Sequence, residues 1–153
     1  MGNSTYKPTL HRIKVHNAGT NIATGTNTVV TLGGTVDYNV GGDASGATLS
    51  TAGNQVTLKD TGLYHIIAHV LYNAPNPQTG GNYRQVFITA GGSTRSNAIE
   101  GSGVSDFTAH ATAHWIGELT KGDTVFMTTV QNTSGTITLN AQTCLMIQML
   151  RRL

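Results

Sequence analysis

Four of the six histidines occur as two spaced pairs, and these side chains are the best suited to chemistry in the chain. His65 and His69 lie four residues apart, and His110 and His114 repeat that spacing. Residues four apart on a β-strand share a face, and imidazole is a good ligand for zinc or nickel. Along a strand, however, such residues are roughly 13 Å apart, so a shared ion would need one histidine from each of several subunits. We predict neither a metal ion nor a cofactor.

The other candidates for catalysis lack the surroundings that catalysis requires. No nucleophile elbow surrounds a serine, and no base accompanies a nucleophile in a known pattern. The carboxylates are few and scattered: Asp37, Asp43, Asp60, Glu100, Asp106, Glu118 and Asp123. Asp123 follows Gly122 and is interpreted as a turn-forming side chain, and Cys144 as a small buried hydrophobe. We therefore predict that the protein is not an enzyme.

The composition is that of a weakly charged, turn-rich β protein. The 153 residues include 25 threonines and 19 glycines, and only 10% are charged, against about 25% in an average domain. The net charge of +2 comes from scattered residues and does not predict nucleic-acid binding. No apolar run approaches the roughly 20 residues of a membrane span, and the opening residues do not resemble a secretory signal. A single cysteine excludes an internal disulfide.

Period-2 alternation recurs along the chain and predicts an all-β fold without a substantial helix. Ten segments show strand patterns: 9–16, 28–32, 35–40, 55–58, 63–72, 83–90, 107–116, 124–131, 136–139 and 142–150. The stretches between them, including 73–82 and 91–103, are predicted loops. Ten strands fit an antiparallel two-sheet sandwich better than one open sheet, which would leave a face and two edges bare. We predict one domain over 9–153 after a short arm at 1–8.

The last predicted strand is apolar on both faces. From Cys144 to Leu150, only Gln148 is polar. A strand with one buried face alternates, so this strand is expected to meet apolar surroundings on both sides. One side would be the core, and the other would be a covering loop or a neighbouring subunit. Oligomerisation is favoured, because a chain of 16.1 kDa leaves little material for a second covering layer.

Three motifs resemble those of the tumour necrosis factor and complement globular-head superfamily. The first is Gly62-Leu-Tyr64 with the alternating apolar positions that follow it, the second is Leu119-x-x-Gly122-Asp123-x-Val125, and the third is the apolar last strand. The resemblance implies a ten-stranded antiparallel jelly roll that associates as a compact homotrimer. It also implies that the first, central and last strands line the subunit contacts.

On this resemblance, one face of the central strands turns toward the trimer axis. The predicted trimer interface comprises His65, Ile67, His69, His110, Thr112, His114, Ile116, Leu145, Ile147 and Met149. We interpret its histidines as a hydrated, hydrogen-bonded stretch of interface. If they are buried and neutral, protonation would bring like charges together, so the trimer is expected to loosen in acid.

A weakly charged jelly roll with neither stalk nor export signal is similar to a bacteriophage virion component. We predict a trimeric virion surface protein, made in the host cytoplasm, that decorates the capsid and stabilises it by binding the major capsid protein. Its docking residues are predicted in the amino-terminal arm, at Asn3, Tyr6 and Lys7. The alternative is a receptor- or glycan-binding tip of a tail fibre or needle, in which Tyr72, Tyr83 or Trp115 would stack on sugars.

Overall fold

The computed structural model describes residues 12–40, 48–50, 54–73, 83–101, 109–133 and 135–153. Within these ranges the chain forms no helix and thirteen strands, five of which have only two or three residues. They are β1 (Arg12–Asn17), β2 (Asn21–Ile22), β3 (Thr28–Val29), β4 (Leu32–Val40), β5 (Thr48–Ser50), β6 (Gln55–Thr57), β7 (Gly62–Leu71), β8 (Tyr83–Ala90), β9 (Ser93–Gly101), β10 (His110–Leu119), β11 (Thr124–Gln131), β12 (Ile137–Thr138) and β13 (Cys144–Arg152). The predicted arm at 1–8 lies outside the described residues.

The strands form two main sheets. The first has five strands in the order β10-β7-β13-β1-β4. The second has the order β5-β6-β11-β8-β9, with β3 pairing beside β11, while β12 and β2 form a separate two-stranded ribbon. All pairings between these named strands are antiparallel. The predicted all-β antiparallel sandwich is confirmed.

The core lies between the two sheets and follows from strict alternation along the strands. On β7 every second residue from Gly62 is buried, while the residues between are half-exposed. Alternating apolar side chains of this kind are typical of a strand with one face on the core. The fully buried side chains include Ile13, Val15, Tyr64, Ile66, Val70, Val86, Ile88, Val125, Met127, Leu145 and Met149.

Residues 91–103 were predicted as a loop, and that prediction is wrong for β9. Gly91 and Gly92 form a two-residue connection with φ of 56° and 75°, and Ala90 pairs with Ser93 directly after it. Positive φ at both positions is what a type I′ hairpin turn requires, and glycine adopts it without strain. β9 was missed because it is a polar edge strand that lacks the apolar alternation of a core strand.

The Gly62-Leu-Tyr64 motif has a packing explanation. A Cβ atom at Gly62 would lie 2.5 Å from the backbone oxygen of Arg151 on β13, so no larger residue fits there without a shift. Tyr64 is fully buried, and its hydroxyl donates to the carbonyl oxygen of Asp60 at 2.7 Å. The motif therefore lets β13 approach β7 closely and fixes the turn that precedes β7.

Asp123 has the turn-forming role predicted for it. Its Oδ2 accepts a hydrogen bond from the backbone N–H of Thr120 at 2.9 Å, and Gly122 has φ of 94°. Leu119 and Val125 on either side are buried. This turn joins β10 of the first sheet to β11 of the second, so it connects the two layers.

One end of the core is polar. The Arg84 guanidinium is buried, with only 1% of the residue exposed, and lies 4.8 Å from the centre of the Tyr72 ring. Tyr72 and Thr129 are joined through their hydroxyls at 2.6 Å, and Thr129 in turn donates to the Gln85 carbonyl oxygen at 2.9 Å. Because Thr129 uses its proton on Gln85, the Tyr72 hydroxyl is the donor between the two. Cation–π and hydrogen-bond contacts thus offset part of the cost of burying these groups.

Candidate functional site

The candidate site is the solvent-facing side of the first sheet, formed by alternate residues of β7, β10 and β13. We call it the histidine face; its side chains are Leu63, His65, Ile67, His69, Leu71, His110, Thr112, His114, Ile116, Glu118, Cys144, Met146 and Gln148. The register between the strands places them on one surface, because residues paired across an antiparallel ladder point to the same side. Seven of the ten residues predicted for a trimer interface lie on this face.

The histidines meet across strands and not along them. The rings of His65 on β7 and His114 on β10 are stacked, with centroids 5.8 Å apart. The rings of His69 and His110 repeat this neighbour relation at 5.9 Å, with a tilt of 39°. In the ladder, His65 is opposite Ile116 and His69 is opposite Thr112, so both histidine pairs are diagonal. Diagonal neighbours on a sheet lie close enough for side chains of this length to touch.

His69 is the most enclosed of these groups. Its Nδ1 atom lies 2.8 Å from Oγ1 of Thr112, its direct cross-strand partner. Burial lowers the pKa of His69, and the nearby His110 and Lys14 lower it further. The ring is therefore held neutral near pH 7. This is the direction on which the expected acid sensitivity depends, and that expectation stays a prediction.

Apolar side chains surround the histidines. Ile116 is 58% exposed beside His65, and Ile67 and Met146, which pair across β7 and β13, are both half-exposed. An antiparallel sheet whose outer face meets only water normally carries polar residues there. The mixture of aliphatic and imidazole side chains is therefore better suited to contact with another surface than to full solvation.

Charged side chains occur at the Leu63 end of the face, where Glu118 and Arg151 pair with Leu63, and on β1 and β4. The ammonium group of Lys14 is 2.7 Å from Oδ2 of Asp37, and Nε2 of His16 is 3.1 Å from the same oxygen. These hydrogen bonds, the one from Lys14 first, lower the pKa of the Asp37 carboxyl. The other ring nitrogen of His16 is 3.1 Å from the Ala141 carbonyl oxygen. His16 is thus engaged in a local network and stands apart from the two histidine pairs.

Three residues predicted for the trimer interface lie on the opposite side of the sheet, and their assignment to the interface was wrong. Leu145, Ile147 and Met149 are buried in the core, because they pair with Ala68, Ile66 and Tyr64 on the inner face of β7. The side chains of β13 on the histidine face are instead Cys144, Met146 and Gln148. The position of Gln148 in the sequence could have indicated which residues of β13 face outward. It is the polar residue between Cys144 and Leu150 and is exposed, so Met146 and Cys144, two and four residues before it, share its face.

The remaining predicted candidates are Cys144 and the docking residues of the amino-terminal arm. Cys144 is buried on β13, and burial raises the pKa of its thiol, as expected for a small buried hydrophobe. Among the described residues, no three or more histidine, cysteine, aspartate or glutamate side chains group closely enough to hold a metal ion. Nor does any helix in these residues have the length and hydropathy to cross a membrane. The docking residues predicted in the arm, Asn3, Tyr6 and Lys7, lie outside the described residues.

The two-sheet arrangement is that of a tumour necrosis factor-like jelly roll. Comparison with solved structures finds an Eiger tumour necrosis factor from S. frugiperda with a TM-score of 0.65, covering 95% of this chain and 95% of that one. The sequences are 13% identical, so the likeness concerns the fold alone. No protein-family model matches the sequence, and no curated protein matches it. The likeness supports the predicted jelly-roll fold.

Proposed function

We propose that this chain is a non-enzymatic binding protein that self-associates as a trimer through the histidine face. The observation that carries the proposal is the exposed mixture of aliphatic and imidazole side chains on the first sheet, centred on Ile116, Ile67 and Met146. Tumour necrosis factor-like jelly rolls commonly form trimers, which agrees with this choice of surface. The fold is typical of proteins that bind other molecules rather than transform them.

The distribution of charge supports the same surface. Burying a charged group without a partner is costly, whereas a neutral imidazole that is hydrogen-bonded costs little. Burial lowers the pKa of His69, and the ammonium group of Lys14, whose charge acts on that ring, is 2.7 Å from the Asp37 carboxylate. Glu118 lies at the end of the face, opposite Leu63. The face can therefore be covered by other copies while its charges remain at the rim, where they would define the orientation of the subunits.

A matched pair of substitutions tests the surface. Ile116 and Ile99 have similar exposure, 58% and 61%, but Ile116 lies on the histidine face and Ile99 on β9 of the other sheet. We expect Ile116→Lys to convert the oligomer into monomers in sedimentation equilibrium, because the ammonium group would have to be desolvated. Ile99→Lys should leave the oligomer intact. A trimer that persists in Ile116→Lys, or dissociates in both variants, would contradict this assignment.

The more specific role that we propose is decoration of a bacteriophage capsid. A preformed trimer that binds only the assembled shell, through the major capsid protein, would stabilise that shell by mass action. The low charge of the chain supports this role, since a subunit covered on one face by its own copies and on another by a shell has little need for charge. The protein would then be synthesised in the host cytoplasm and located at the capsid surface.

Electron microscopy of purified protein mixed with undecorated capsids tests the role directly. We expect density at threefold or quasi-threefold positions of the shell. Deleting residues 1–7, which include Asn3, Tyr6 and Lys7, should reduce capsid occupancy while the trimer persists. Undecorated shells after mixing with the intact protein would refute the role, and full occupancy after the deletion would refute docking by the arm.

The alternative, a glycan-binding tip, is less well supported by the aromatic residues proposed for it. Tyr72 is fully buried beneath Arg84, and Trp115 packs partly against the core with the Arg95 guanidinium 5.5 Å from its ring. Tyr83, at 37% exposure, is the one of the three with a substantially open side chain. Sugars stack on exposed aromatic rings, so the described residues favour the decoration role.

A further inference from the structure

We propose that the two cross-strand histidine pairs, His65 with His114 and His69 with His110, are two separate sites for a divalent transition metal ion such as Zn²⁺ or Ni²⁺. Each site would use two imidazoles from one chain and complete its coordination with water. Both ligands of each ion come from the same chain, so the sites do not depend on the role in a virion. In the trimer proposed above, both pairs would lie at the subunit contact.

The spacing of the rings supports these sites. Zinc and nickel accept imidazole nitrogen at about 2.0–2.1 Å, so two imidazoles on one tetrahedral ion have ring centroids about 5 Å apart. The observed separations are 5.8 Å and 5.9 Å. The centroids are therefore close to the required separation, and side-chain rotation has to turn one nitrogen of each ring toward the ion, since the His65 and His114 rings are stacked. Spacing along a strand does not allow this arrangement, but diagonal pairing of β7 with β10 produces it twice on one face.

The environment of His69 favours metal ligation. Its Nδ1 contacts Thr112 Oγ1 at 2.8 Å, and when Nδ1 donates this hydrogen bond, Nε2 carries the lone pair that a metal ion requires. A hydrogen bond from the non-ligating nitrogen is the usual means by which proteins orient a metal-binding histidine.

The exposure of the histidines and the charged groups near them are also compatible with a bound cation. His110 and His114 are exposed on β10, and His65 is half-exposed, so water can occupy the remaining positions of each ion. Lys14, whose charge acts on His69, is 2.7 Å from the Asp37 carboxylate, which offsets its repulsion. With two protein ligands each, such sites would exchange their ions more readily than closed structural sites.

Isothermal titration of the untagged full-length chain with NiCl₂ or ZnCl₂, after removal of metals with EDTA, tests the proposal. The expected stoichiometry is two ions per chain. His65→Gln and His69→Gln should each reduce it to one, and the double variant should lose both sites. His16→Gln is the matched control, because it removes a histidine that bonds to Asp37 and Ala141 outside both pairs, and it should retain two ions.

Other results would overturn the proposal. A wild-type chain that binds neither metal excludes the sites, as does a stoichiometry that neither pair variant changes. One ion per three chains would indicate a shared ion on a threefold axis instead of two sites within each chain. Circular dichroism of each variant should match the wild type, and since the substituted side chains point away from the core, loss of the fold is not expected to obscure the measurement.

Discussion

Asp37 on β4 forms ion pairs with two residues of β1 in the first sheet. Its carboxylate accepts from Lys14 at 2.7 Å and from His16 at 3.1 Å, and both bonds stabilise the ionised form. The folded-state pKa is consequently below the ordinary value of 3.8. A lowered carboxyl pKa stabilises the fold at pH values above the unfolded-state pKa, and this contribution is lost as pH falls through the folded-state pKa.

We expect Asp37→Asn to lower the urea midpoint at pH 7 more than at pH 3. Asparagine keeps the shape of the side chain but removes the charge that Lys14 and His16 bind. The stabilisation from the ionised carboxyl decreases once the pH is below the unfolded-state pKa, so the two proteins should become more alike at pH 3. Equal differences at the two pH values would show that the ion pairs contribute nothing measurable, as many exposed pairs do.

At the scale of an element, β13 has two faces in different environments. Leu145 faces the core and is fully buried, whereas Met146, the next residue, lies half-exposed on the histidine face. We expect Leu145→Ala to reduce the free energy of unfolding by about 2–5 kcal/mol, because it leaves a cavity in the core. Met146→Ala should cost clearly less in a monomer and should weaken self-association.

Urea denaturation of both variants, combined with sedimentation equilibrium, separates these effects. Measuring the unfolding of Met146→Ala at a concentration where the protein is monomeric isolates the folding contribution. If Met146→Ala were as destabilising as Leu145→Ala under that condition, the orientation of β13 given by its pairing with β7 would be incorrect.

The β8–β9 hairpin makes a second prediction at this scale. Gly92 has φ of 75°, and the space around its Cα is open, so backbone strain and not crowding decides what fits there. We expect Gly92→Val to destabilise the fold by about 1–2 kcal/mol, the cost of left-handed backbone for a side chain of this kind. Gly92→Asn is the control and should cost less, since asparagine tolerates this conformation. Equal urea midpoints for the two variants would contradict the turn geometry.

The elements themselves differ in how far sequence could predict them. Strands such as 83–90 and 124–131 have the bounds that alternation predicts, because apolar residues alternate along most of their inner faces: Val86, Ile88 and Ala90 on β8, and Val125 and Met127 on β11. β9 was not predicted, because an edge strand does not need alternating apolar residues. The histidine face was predicted in outline from spacing on single strands. The contact between the rings of His65 and His114 was not predicted. It depends on the register between β7 and β10, which the pattern within a single strand does not give.

At the scale of the whole molecule, the proposed trimer links stability to concentration. If folding and association are coupled, raising the protein concentration a hundredfold should stabilise the assembly on the order of 2 kcal/mol per chain. The Tm should therefore rise by several degrees in calorimetry. Ile116→Lys should show a Tm that does not vary with concentration, and Ile99→Lys should behave as the wild type. A wild-type Tm that is constant across this range would argue against a coupled trimer.

The central position of β13 has a consequence for how the chain acquires its fold. β13 is inserted between β1 and β7, and its register joins Arg12 to Gln148 across almost the whole sequence. The first sheet therefore cannot close until residues 144–152 have been synthesised, and β1 has no stable place in it before then. Folds dominated by such distant pairings fold slowly, on the millisecond to second scale. A nascent chain is thus expected to expose its sheet edges until synthesis of this segment is complete, which makes translation the period of greatest risk of aggregation.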